Sequence, residues 1–205
     1  MTKRLVIGLV GPMASGKGVV ADYLKAQGFA FESLSDRIRE DMKARNIPLT
    51  RENLQNYGNY LREAYGNAVL AQRTVDLLSD SGHNVCIDSI RNPGELLFLR
   101  ESLGALIIGI DAPEDLRLVW YLERAQARGE DFATAEDFYT AAKRDLGQGE
   151  AISGQQVSAC LELSDFILVN RGSKEELYEQ MSELLGEIKS YHPEKYKKSP
   201  LESVD

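Results

Sequence analysis

An apolar run, Leu5–Val10, leads directly into Gly11-Pro12-Met13-Ala14-Ser15-Gly16-Lys17-Gly18, and a helical pattern follows at once. This is G-x-x-x-x-G-K between a strand and a helix, the context that gives the pattern physical meaning. Glycines let backbone amides converge on a chain of phosphates, and the helix N-terminus adds partial positive charge. Lys17 supplies a mobile point charge for the outermost phosphates. The binding set read from the segment is Gly11, Pro12, Met13, Ala14, Ser15, Gly16, Lys17, Gly18 and Val19. Met1–Arg4 and the apolar residues after them imitate a secretion signal. Such a signal leaves Gly16-Lys17 unexplained, whereas a strand entering a phosphate loop accounts for every residue.

The residue after Lys17 is Gly18, where many phosphate loops carry a Ser or Thr that ligates Mg²⁺. Val19 offers no hydroxyl either. Mg²⁺ is therefore expected on nucleotide oxygens, water and a carboxylate elsewhere, as suits an ion that keeps much of its hydration.

Downstream, short apolar runs alternate with longer helical stretches, the pattern of a parallel sheet covered on both faces. Strands are expected at Leu5–Val10, Phe29–Glu32, Asn84–Asp88, Ala105–Asp111 and Asp165–Val169. Helices are expected at Gly18–Gln27, Asp36–Arg45, Glu52–Ser81 with a break near Gly66, Gly94–Leu103, Pro113–Ala127, Ala135–Leu146 and Lys174–Ser190. Thr134-x-x-Asp137 and Ser173-x-x-Glu176 read as capping boxes. The chain is expected to form one domain over residues 1–190, with acceptor-binding helices at 34–81, a lid at 124–150 and a tail or linker at 191–205.

The 205 residues are 43% hydrophobic and carry a formal charge of −8, so a core is possible and general binding to nucleic acid or anionic membranes is disfavoured. Two cysteines and two histidines provide neither a disulfide framework nor a zinc cluster, which points to a reducing, cytoplasmic compartment. A basic pocket for a small anion remains compatible with this balance.

Candidates for that pocket follow the strands, because ligands of open α/β sheets bind beyond the strands' carboxyl ends. Asp36 and Arg39 open the second helix, and Arg62 lies on the next; these three and Arg91 are the expected acceptor contacts. Asp88 ends the third strand and can steer Mg²⁺ through water, with Arg91 in the loop beyond it. Arg124 and Arg128 end one helix, and the polar Gly129–Ala133 after them can hinge, so that arginines on this segment close over the site and neutralise charge on a transferring phosphoryl group. Lys143-Arg144-Asp145 occupies the following helix, and Asn170 leaves the last strand where it can meet a base. The expected catalytic set is Lys17, Asp88, Arg91, Arg124 and Arg128.

Together these residues resemble the nucleoside monophosphate kinase-like branch of P-loop proteins over residues 4–188, and most closely a mainly archaeal, largely uncharacterised family related to adenylate kinase. That family's G-x-x-G-x-G-K-G, S-x-x-D-x-x-R, D-G-I-R-x-P and D-x-x-I-x-N-x-x-S-x-E-E-L correspond to Gly11–Gly18, Ser33–Arg39, Asp88–Pro93 and Asp165–Leu177. Ala14 and Ser89 replace usual glycines, and Leu168 replaces an isoleucine. The resemblance implies a three-layer α/β P-loop fold with a parallel sheet of about five strands. It also implies ATP with Mg²⁺, and phosphoryl transfer to a small nucleotide acceptor, a nucleoside or deoxynucleoside monophosphate. Dephospho-coenzyme A kinase, or a regulatory nucleotide-binding module with weak ATPase activity, is the alternative.

Overall fold

The structure is a computed structural model that describes residues 4–78, 82–127 and 134–191. The expected lid residue Arg128 and the tail from residue 192 lie outside the described residues. Five strands form one parallel sheet: β1 (Val6–Val10), β2 (Ala30–Ser33), β3 (Val85–Ile90), β4 (Leu106–Asp111) and β5 (Phe166–Val169), in the order β2-β3-β1-β4-β5. All five expected strands are present, with no end shifted by more than two residues.

Central β1 is buried along its whole length, and its side chains divide by pleat. Val6 and Val10 join the core on one face; Leu5, Ile7 and Leu9 join the core on the other. Gly8 lies between, where a Cβ would come within 2.7 Å of the side chains of Ile90 and Ile107. The missing side chain thus lets the neighbouring strands' isoleucines meet across β1.

The first face is covered by α2 (Leu34–Ala44), α3 (Arg51–Tyr65), α4 (Val69–Val75), α5 (Pro93–Leu103) and α8 (Val157–Glu162). The second is covered by α1 (Lys17–Ala26) and α9 (Lys174–Tyr191). A third apolar cluster joins Met13 and Ala14 to Phe138, Ala141 and Ala142 of α7 (Ala135–Leu146), with Leu118 and Tyr121 of α6 (Glu114–Ala127) against it. The expected lid helix α7 is thereby packed on the phosphate loop.

The break expected near Gly66 is real: Gly66 has φ +97° and ends α3. The following helix stops at Val75, short of the expected Ser81. The Thr134–Asp137 capping box forms reciprocally, and Ser173 Oγ accepts the Glu176 amide at 3.1 Å. Helix α8 is an addition to the sequence reading. Six residues hold too little periodicity to announce themselves, but Val157 and Cys160 share a face and are fully buried.

Candidate functional site

Residues that follow β1, β3 and β5 line a cavity of about 850 Å³. Its first wall is the phosphate loop. Gly16 has φ +104° and caps α1, turning the chain from strand to helix in a conformation that favours glycine. Ala14 also lies in the left-handed region, at φ +63°, although it carries a Cβ. Lys17 Nζ donates to the carbonyls of Gly11 at 2.6 Å and Pro12 at 2.9 Å. Burial, reinforced by the Arg91 charge, lowers the Lys17 pKa to about 8, against the pull of Asp88 and Asp145.

Across the cavity stands Asp88. Its Oδ2 accepts from Ser89 Oγ at 3.2 Å, and its buried Oδ1 has no partner. Ser89 also accepts from Ser33 Oγ at 3.1 Å and is held at φ +67°. The two glycines replaced relative to the resembled family, at positions 14 and 89, are therefore both left-handed here.

The wall is strongly basic. Lys17, Arg39, Arg51, Arg91, Arg124 and Lys174 line the cavity against two carboxylates, Asp88 and Glu123. This is a local reversal of the chain's net charge of −8. A smaller cavity of about 90 Å³ shares Arg39, Arg51, Ser89 and Arg91 with the first and extends past Leu54, Gln55 and Gln155. Desolvation by the surrounding protein and the neighbouring Arg91 charge lower the Arg51 pKa to about 10. Arg91 moves the other way: Asp145, Asp88 and Glu95 together outweigh its desolvation and raise its pKa.

Several expected site residues are redirected. Arg62 is 1% exposed and absent from both cavity walls; its Nε donates to Glu95 Oε1 at 2.8 Å. The other oxygen of Glu95 accepts from the backbone amides of Arg91 and Asn92, closing a capping box at the start of α5. Arg62 thus braces the loop that carries Arg91 and lines neither cavity. Asp36 is paired with Arg39 at 3.0 Å and does not line either cavity. Asn170 lines the cavity, but its side-chain amide donates to Ser15 O at 3.0 Å and its oxygen accepts from Gly172 N. It holds the phosphate loop with the groups that were expected to meet a base.

Two residues missed by the sequence reading are Arg51 and Asp145. Arg51 follows Thr50, whose hydroxyl caps α3, so a recognised helix start would have placed a cation at that terminus. Asp145 is fully buried; its Oδ2 accepts the Met13 amide at 2.7 Å and its Oδ1 pairs with Arg91. Its two partners are distant in sequence, and no local pattern announces them.

No family model matches the chain. A UPF0200 protein of Methanoregula boonei is 34% identical over 182 residues, spanning 88% of this chain and 95% of that protein. A UPF0200 protein of Aeropyrum pernix is 31% identical over 176 residues, spanning 85% and 88%. The chain belongs to the UPF0200 family. Among solved structures, this UPF0200 chain is similar to a putative kinase from Chloroflexus aurantiacus (TM-score 0.55, 16% identity, 91% of this chain and 98% of that one). It is also similar to shikimate kinase from Acinetobacter baumannii in complex with shikimate (TM-score 0.54, 15% identity, 92% and 96%). These likenesses establish the three-layer α/β fold of P-loop kinases for the UPF0200 chain. Among its described residues, no helix is long and apolar enough to cross a membrane.

Proposed function

We propose that the protein transfers the γ-phosphoryl group of ATP to a nucleoside or deoxynucleoside monophosphate. The observation that carries this reading is the concentration of six cationic side chains around a phosphate-loop cavity in a chain that is acidic overall. One polyphosphate needs the loop, its lysine and the helix terminus. The additional arginines on α2, at the start of α3 and after β3 suit a second anionic group beside it.

In this reading the loop and Lys17 hold the donor phosphates, and Arg39, Arg51 and Arg91 hold the acceptor phosphate. An acceptor oxygen forms the new bond to the γ-phosphorus as the bond to the β–γ bridging oxygen breaks. Catalysis is positioning and charge neutralisation, with no covalent enzyme intermediate. Arg124 faces the same cavity from α6 and adds positive charge near the transferring group.

The residues present suit Mg²⁺ held through water. Asp88 lines the cavity and carries an oxygen, Oδ1, with no hydrogen-bond partner, so its carboxylate would hold a hydrated ion, while Gly18 supplies no oxygen. When bound, Mg²⁺ neutralises charge on the donor phosphates.

The deciding experiment is turnover with ATP and a panel of nucleoside and deoxynucleoside monophosphates, dephospho-coenzyme A and shikimate. Transfer to one class of monophosphate is expected. Transfer to dephospho-coenzyme A or shikimate alone would replace the acceptor, and ATP binding with only slow hydrolysis would favour a regulatory module.

A further inference from the structure

The C-terminal turn of α7 touches both halves of the site. Arg144 donates to Asn56 Oδ1 on α3 at 2.9 Å, and its Nε pairs with Glu150 at 2.6 Å. Glu150 also accepts from Asn59 of α3, while Gln55 of the same helix donates to Ala141 O at 3.3 Å. The next residue, Asp145, points into the interior, toward the phosphate loop and Arg91.

A fully buried carboxylate is costly unless its oxygens are satisfied. Those of Asp145 are satisfied by the Met13 amide, 132 residues earlier in the chain, and by Arg91, 54 residues earlier. Both partners face the larger cavity, and Arg91 faces the smaller one as well. An ion pair serving the core alone would draw its arginine out of the cavity wall; Arg91 stays in it. Met13 is gripped a second time, because Arg117 Nη1 on α6 donates to its carbonyl at 3.4 Å. The loop tip is thus oriented by charged groups on α6 and α7, and one of them also aims Arg91.

We infer that Asp145 is a positioning residue that fixes, with one carboxylate, both the phosphate loop at Met13 and the guanidinium of Arg91, and so sets the spacing between the two phosphate-binding halves of the site. An anion that moves Arg91 is thereby felt at the loop, and ATP bound at the loop is felt at Arg91. The turnover arm of the test rests on the proposed phosphoryl transfer; the ATP-binding arm does not.

Asp145→Asn keeps the shape and removes the charge that serves two donors at once. Thermal unfolding first establishes that the variant folds. Calorimetry with ATP should then show about a tenfold loss of affinity, because the loop is no longer preorganised. Turnover with the accepted monophosphate should fall about a hundredfold in kcat, the scale expected when reacting groups are misplaced by about 1 Å. Arg91→Met in the Asp145→Asn background should cost less than in the wild type, since the two residues act as a unit. A folded Asp145→Asn protein with wild-type ATP affinity and kcat, however reduced in melting temperature, would make Asp145 a structural pin and overturn the inference. Where Asp145→Asn does not fold, Arg91→Met decides: lowered ATP affinity supports the coupling through Asp145, and unchanged ATP affinity refutes it. A wild-type protein that binds ATP but phosphorylates none of the panel would sink the proposed function, while the ATP-affinity arm would still test Asp145.

Discussion

The two walls of the cavity are built in different ways. On the phosphate-loop wall, the elements are contiguous in sequence: a strand, a turn through Gly16, and Lys17 at the start of α1. On the facing wall, Arg39, Arg51 and Arg91 come from three separate elements, and the aim of Arg91 depends on Asp145 of a fourth. A backbone-made anion site is a local property, fixed once strand and helix form. A side-chain-made site is a property of the folded pairings, where equivalent-looking arginines acquire different roles according to the carboxylates they meet.

The loop wall should be the more sensitive to loss of one charge. Lys17→Ala is expected to reduce turnover by about a thousandfold or more, at the upper end for one preorganised electrostatic group, with cooperative unfolding preserved. The pH dependence should carry the same signature. A lysine with its pKa lowered to about 8 is ammonium below that pH and neutral above it. ATP affinity should therefore fall as pH rises through about 8, and above about 8 binding should take up a proton, measurable by calorimetry in buffers of different ionisation enthalpy. Lys17→Ala should show neither effect. Unaltered turnover in that variant would remove the phosphate loop from the mechanism.

Behind the facing wall the largest expected effect is on stability. Arg62 and Glu95 are 1% and 0% exposed, so Arg62→Ala leaves an uncompensated buried carboxylate. A loss of about 3–5 kcal/mol is expected, read as a shift of the denaturant midpoint. Ligand affinities of the surviving folded protein should change little. A stable Arg62→Ala protein with a specific rise in acceptor KM would restore the ligand-binding role suggested by sequence.

Asp88 tests how the walls cooperate over the metal. Asp88→Asn should lower turnover about a hundredfold and raise the Mg²⁺ concentration needed for half activity, since the amide keeps the shape and loses the attraction. Gly18→Ser is the reciprocal change. Position 18 lies in the first turn of α1, and a Cβ there would meet no atom within 4 Å among the described residues. The hydroxyl can enter without strain and should lower the Mg²⁺ requirement several-fold. Unchanged Mg²⁺ dependence in Asp88→Asn would reduce Asp88 to a partner of Ser89.

What could be read in advance follows the same division. The five strands, the Gly66 break and the phosphate loop were legible because each is written within a few neighbouring residues. Arg39 and Arg62 looked alike as helix arginines, and only Glu95, 33 residues beyond Arg62, separates them. That separation was partly readable, because Asn92-Pro93-Gly94-Glu95 is itself a helix-start pattern that commits Glu95 to backbone amides. Asp145 offered no such cue. Asn170 lines the cavity as its strand-end position suggested, but its bond to Ser15 O was not legible, since strand-end position says where a side chain stands and not which carbonyl it meets.

The same substitution applied to both walls gives the finest test. Ala14 and Ser89 each hold a left-handed backbone, at φ +63° and +67°. Glycine would relieve about 1–2 kcal/mol of strain at either position. It would return about 0.4–1 kcal/mol through the greater entropy of the unfolded chain. At Ala14 it would also remove a methyl group packed in the Met13–Phe138 cluster, worth about 0.8 kcal/mol. These terms nearly cancel, so Ala14→Gly should shift the melting temperature by no more than about 4 °C, the equivalent of roughly 1 kcal/mol in a chain of this size. ATP affinity should stay within about threefold of wild type, because that offset is less than 1 kcal/mol. Ser89→Gly should also be close to neutral in stability, the lost hydroxyl contacts to Ser33 and Asp88 opposing the relieved strain. Its effect should appear in function: with Asp88 no longer held by the neighbouring hydroxyl, the Mg²⁺ requirement should rise a few-fold. If Ala14→Gly perturbs Mg²⁺ dependence as much as Ser89→Gly does, the two walls are not separable in the way their construction implies, and the metal is steered by the loop as strongly as by Asp88.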